Sequence, residues 1–263
     1  MRGACAPSIR PPCFTEVTIA HHSRESPLRG RGAVDRAEDT IGSVGAFSGL
    51  DPDATAFFAE LAANNTKAWW AAHKARYDER VRGPFAALGE ELAVEFGPVK
   101  LFRPYRDVRF SADKSPYKLQ IGLVSRAPVA HYLQLSTDGL LAGGGSYMVP
   151  PKALARFREI VDDPKLAGDL EATLDETADE GFSLMRDDAL RTAPRGYSVE
   201  HPRIELLQLK HLAIGRTEPP ADWMWTPDAL DIVRDQWRTI SVWCEWLRDN
   251  LGPEIAAGGG RGR

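Results

Sequence analysis

Apolar positions recur with a helical period at both ends of the chain and with a period of two in its middle. Asp51–Pro52 is an N-cap and first-turn pair, and Phe57, Phe58 and Leu61 follow it at helical spacing. Asn64 or Asn65 then stands where a second helix would be capped. On that helix Trp69, His73 and Tyr77 recur every four residues and so share a face. Gly83–Pro84 predicts a break. Phe85, Leu88, Leu92 and Phe96 predict a short amphipathic helix ending at Gly97–Pro98.

From Leu101 the pattern alternates. Phe102, Val108 and Phe110 fall on one face of an extended segment, with Arg103, Tyr105, Asp107 and Arg109 on the other. Leu119, Ile121 and Leu123 predict the next strand, and His131–Ser136 another. Asp138–Gly139 is a hairpin-type turn into Leu140–Leu141. Helical spacing returns after Pro150–Pro151, first at Leu154, Phe157 and Val161, then at Leu166, Leu170 and Leu174. Ala189–Arg216 is irregular, with a strand expected around Leu209–Ile214. Leu230, Val233, Trp237, Ile240, Cys244, Leu247 and Leu251 alternate steps of three and four and predict one long amphipathic helix. No βαβ alternation occurs. The expected class is α+β: an antiparallel β-sheet covered on one face by N-terminal and C-terminal helices.

Composition narrows the partners. The 263 residues are 43% apolar and carry a formal net charge of −4, which excludes wholesale disorder and argues against coating nucleic acid by bulk charge. No run approaches the length of a membrane-spanning helix, so no membrane partner is expected. Cys5, Cys13 and Cys244 form no ligand or disulfide spacing; no cofactor and no metal are expected, and Cys244 reads as an inert core thiol. No apolar stretch of signal-peptide length follows Arg2 and Arg10, so the expected compartment is the cytoplasm. Residues 1–46, rich in Pro, Gly and Arg, read as a disordered or upstream-misassigned tail. Residues 47–252 form the α+β domain, and 253–263 a Gly/Arg tail.

Candidate chemistry concentrates in Lys100–Lys118. Lys100, Arg103, Arg106, Arg109, Lys114 and Lys118 face only Asp107 and Asp113, a local balance of +4 within a chain of −4. Guanidinium groups match carboxylates and phosphates bidentately, so surplus donors here suit an outside anion. Ser115–Pro116 turns Lys114, Tyr117 and Lys118 back over the same surface. Arg106, beside Val108 and Phe110, reads equally as a buried structural ion pair. Gly143–Gly145 is expected between a strand and a helix. Gly144 is a candidate for close backbone approach to the ligand, and a bulge or turn explains the same glycines. Lys210 and His211 are placed to add charge. His73 reads as a helix-interface residue and His201 as a surface-loop residue. The nine acidic residues of Glu159–Glu180 spread around their helices and read as a solvated face rather than a metal site.

NNTKAWWAAHKARY (64–77), FRPYRDVRFSADKSPYK (102–118), LLAGGGSYMVPP (140–151) and TAPRGYSVEHPRIELLQLKH (192–211) occur in an order that resembles the domain of unknown function 2461 family of bacteria and fungi. The resemblance spans about residues 47–251 and implies a domain with no assigned activity. Its signature charges map to Arg106, Asp107, Arg109, Asp113, Lys114, Tyr117 and Lys118. Its aromatic helix maps to Trp69 and Tyr77, and its Gly-rich strand to Gly144 and Gly145. Pro104 departs from the usual strand residue there.

The leading expectation is binding of a small anionic ligand, phosphate or carboxylate, through Arg103, Arg106, Arg109, Lys114, Tyr117, Lys118 and Gly144. A second is an enzyme acting on such a ligand with Asp107 or Asp113 as acid/base. A third, ranked below because of the acidic balance, is a nucleic-acid-binding module in which Tyr105, Tyr117 or the tryptophans stack on bases.

Overall fold

Four consecutive extended segments pair into the centre of the molecule. The computed structural model describes residues 46–109, 111, 113–127 and 129–256. The expected tails, 1–46 and 253–263, fall outside these residues apart from Ala46 and the last helical turn, as do Cys5, Cys13 and Phe110. β1 (Val99–Leu101), β2 (Gln120–Ser125), β3 (Ala130–Ser136) and β4 (Gly139–Ser146) form a meander. β5 (Ser183–Leu184) and β6 (Leu212–Glu218) complete the sheet. Among the described residues it is six-stranded and antiparallel throughout, in the order β1-β2-β3-β4-β6-β5.

The period of two decides which side is buried. Ile121 and Leu123, Leu133 and Leu135, Leu140 and Ala142, and Ile214 fall on one face and are all buried. That face is covered by α1 (Asp53–Ala63), α3 (Gly83–Phe96) and the C-terminal helix α7 (Asp228–Ala256), which kinks at Gly252. The predicted stripe of α7 is the contact: Val233, Trp237, Ile240, Cys244, Leu247 and Leu251 are buried, and Leu230 lies at its margin. Burying each such aliphatic side chain contributes about 1.5–3 kcal/mol. Desolvation pushes the Cys244 thiol up to about 12, which makes it unreactive at neutral pH. α4 (Pro151–Asp162) and α5 (Pro164–Asp179) each start on a proline and pack on α7. The four-residue α6 (Ile204–Leu207) packs against α4. No described helix is long and apolar enough to cross a membrane.

Several local expectations are corrected. Asn64 and Asn65 do not cap α2 (Lys67–Arg76). Thr66 does, its Oγ1 accepting from Trp69 N at 3.2 Å. Gly83–Pro84 does not break the chain. A π-helix, Tyr77–Arg82, carries α2 into α3, with the Gly83 N–H bonded five residues back to Asp78 O. The wider turn absorbs the proline, and Tyr77 at its start is buried in the core. Gly143–Gly145 is not a strand-to-helix connection. It lies within β4, where Gly144 lets α7 approach the sheet.

Candidate functional site

Pro104 decides the form of the basic segment. Lacking an N–H, it cannot continue the β1–β2 ladder, so the extended strand expected through Val108 stops at Leu101 and Phe102. The chain then makes a long hairpin that returns at Leu119. It is closed by one isolated bridge, Tyr105 to Tyr117. Arg106 N donates to Pro116 O at 2.9 Å and Lys118 N to Pro104 O at 2.8 Å on either side of that bridge.

Asn65, expected as a helix cap, is what holds the hairpin to the helices. Its Nδ2 donates to Tyr117 O at 2.9 Å and its Oδ1 accepts from Tyr117 N at 3.1 Å. Both backbone groups of a buried residue are satisfied by one amide side chain. The Tyr117 ring stacks on Trp70, centroids 4.2 Å apart and planes 10° apart. Of the aromatic helix, Trp70 is the residue that stacks on the hairpin. Trp69 instead stacks on His73 at 3.9 Å. Replacing Asn65 with Ala orphans two polar groups, so a loss of about 2–3 kcal/mol in chemical denaturation is expected. The Asn65→Asp variant, which keeps only the acceptor, should fall between.

Two of the six cations are matched within the hairpin. Asp107 receives Arg109 bidentately, Nε to Oδ1 at 2.9 Å and Nη2 to Oδ2 at 2.7 Å. Asp113 pairs with Arg106, which is half-buried, and its Oδ1 accepts from Ser115 N at 2.9 Å. The Ser115 hydroxyl and N–H, with Arg106, hold the Asp113 carboxyl well below the usual carboxylate range. Asp113 is therefore not poised to exchange a proton near neutral pH. Lys100, Arg103, Lys114 and Lys118 have no carboxylate partner among the described residues; Lys114 Nζ donates to Val108 O at 3.0 Å. Lys118 is half-buried with Nζ 5.3 Å from the centre of the Phe102 ring, and burial pushes its pKa down. Tyr117 is too buried to stack on a nucleic-acid base, whereas Tyr105 is 55% exposed.

Three expected contributors lie elsewhere. The hairpin leaves the sheet where Gln120 pairs with Ser136 and Ser136 with Gly139. Gly144 pairs with His131 at the far end of β3 and β4, and a Cβ there would lie 2.4 Å from Ile240 Cγ2. Packing alone accounts for this glycine. His211 and Lys210 stand at that far end too, where Asp188 takes both, His211 Nε2 at 2.6 Å and Lys210 Nζ at 3.8 Å. His201 is largely buried rather than a surface residue. Its Nδ1 accepts from Arg203 N at 3.0 Å and its Nε2 lies 3.3 Å from Asp162.

One further charged feature was not foreseen. A shallow groove is lined by Asp51, Pro52, Asp53, Arg76, Glu79 and Arg80. Arg76 binds Asp53 through Nε and Nη2 at 2.7 and 2.6 Å and Glu60 through Nη1 at 2.7 Å, while Arg80 reaches Asp51 at 3.2 Å. These charges quench one another and leave no surplus of cation. Among the described residues no His, Cys, Asp and Glu converge as a metal site would require.

The fold and the hairpin together define an α+β domain that carries a basic, aromatic-backed hairpin at the end of an antiparallel sheet. Residues 53–246 match the family described as "Conserved hypothetical protein (DUF2461)", and the chain belongs to that family. No curated protein and no solved structure matches it.

Proposed function

We propose that this domain binds a small anionic ligand, a phosphate or carboxylate compound, on the hairpin 102–119. The observation that supports this reading most is the charge left after internal pairing. Lys100, Arg103, Lys114 and Lys118 remain without an acid among the described residues, inside a chain of net −4. Lys118 adds most. A half-buried ammonium is poorly solvated, and an incoming anion reverses that cost. The hairpin is held by Asn65 and by the Tyr117–Trp70 stack, so the donors are presented without ordering a loose loop.

Calorimetric titration with inorganic phosphate, acetate and citrate tests the reading. The double variant Lys118→Met/Arg103→Gln should lose at least about tenfold in affinity, since each charge-assisted bond contributes about 1.5–3 kcal/mol. Its melting temperature without ligand should be unchanged or higher, because a desolvated charge has been removed. Absence of heat with every anion, or unchanged affinity in the variant, would refute anion binding here.

A further inference from the structure

Tyr105 is the exposed member of an otherwise buried aromatic cluster. Its ring lies 5.5 Å from that of Tyr117 and 6.5 Å from that of Trp70, and both of those residues are buried. Trp70 in turn lies 4.8 Å from Tyr77, at the start of the π-helix. The backbone of Tyr105 is fixed by the bridge to Tyr117 and by the hydrogen bonds of its neighbours. The result is an aromatic ring held by its backbone and its tilted neighbours and more than half open to solvent. Leaving an aromatic ring 55% exposed forgoes burial, and no described contact requires that exposure.

Cations stand near this ring along the chain. Arg103, two residues before it, has no acidic partner among the described residues, while Lys118 lies against the Phe102 ring on the other face of the hairpin. Arg82, on the last turn of the π-helix, is half-buried and also lacks a carboxylate partner among them. It lies within Coulombic reach of the Tyr77 hydroxyl, as does Tyr105. Trp70, only 4% exposed, has an indole N–H with no acceptor. A buried donor without a partner is a small reservoir of unmet hydrogen bonding at the base of the cluster.

We infer that the anionic ligand carries a flat aromatic ring, and that Tyr105 is the platform on which this ring stacks while Arg103 and Arg82 hold the charge. The inference rests on the anion-binding reading and narrows it to aromatic carboxylates and ring-bearing phosphates, nucleotides among them. Charge fixes the acidic end, and base- or ring-on-tyrosine stacking adds affinity that is indifferent to the ring's substituents.

The test uses pairs matched in charge: benzoate against acetate, and phenyl phosphate against methyl phosphate, titrated into the full chain by calorimetry. The ring-bearing member should bind at least about tenfold more tightly. Tyr105→Phe should keep that preference. Tyr105→Ala should abolish it while leaving the weaker, ring-free affinity in place. Circular dichroism should confirm that both variants fold, as expected for an exposed side chain. Equal affinity within each pair, or a preference that survives Tyr105→Ala, overturns the inference and leaves anion binding standing. Binding by neither member of either pair overturns both.

Discussion

Gly144→Ala is expected to lower the melting temperature by about 10 °C, the equivalent of about 3 kcal/mol or more for a domain of this size. The new methyl would stand 2.4 Å from Ile240 Cγ2, 2.8 Å from Ala130 O and 3.4 Å from His131 Cα. Two of these three atoms are backbone, which cannot swing aside. The third belongs to a β-branched residue fully buried on α7, whose rotamer is fixed in a helix. Relief therefore requires α7 to lift off β4, against the whole stripe of packed side chains from Val233 to Leu251. Gly122→Ala, on the opposite sheet face, is the control. Its nearest neighbour is the Tyr132 hydroxyl at 3.0 Å, and a milder loss should follow. Thermal denaturation with and without phosphate separates packing from binding. A Gly144→Ala protein of unchanged stability but weakened anion affinity would return Gly144 to the ligand site.

The second large effect is acid sensitivity through His131. This side chain is buried between Phe96 and Trp237, with ring centres 5.0 Å from each. Its Nε2 lies 2.9 Å from Ser241 Oγ, and the Ser241 hydroxyl already donates to Trp237 O at 3.0 Å. The serine proton is therefore committed, and Nε2 must be the protonated nitrogen of a neutral ring. Burial pushes the His131 pKa down to about 4, partly opposed by the Trp237 carbonyl and assisted by Arg248. In the unfolded chain the group titrates near 6.5. Between these values the unfolded state binds the extra proton and the native state does not, so stability falls as pH drops from about 6.5 to about 4. The full shift corresponds to about 3 kcal/mol. Urea denaturation at pH 7 and pH 4.5 should show most of that loss in the wild type and little of it in His131→Phe. The same slope in both proteins would assign the loss to other groups.

What could be read from the chain depended on the range of the interactions involved. The α7 stripe and the β3 alternation are properties of neighbouring residues, and both lie in the core as their spacing predicts. The charge excess of 100–118 was equally visible, because the two acids that quench Arg106 and Arg109 lie in the same segment. Asn65 reads as a cap because an asparagine beside a helix start commonly serves as one. Its true partner is 52 residues away. Gly83–Pro84 looked like a break because i→i+4 bonding cannot accommodate it, whereas the π-helix widens the ladder at that point. Gly144 resembled a ligand-facing glycine until α7, nearly a hundred residues later, arrived against it. His201 reads as a surface residue, yet it is partly buried where α4 brings Asp162 against its ring.

The strand order has one more consequence. The outermost strands, β1 and β5, are the shortest of the sheet, with three and two residues. Two copies meeting side by side would find almost no free ladder on which to polymerise. At the β1 margin they would also bring two cationic hairpins together. The surplus of positive charge there thus discourages templated strand addition.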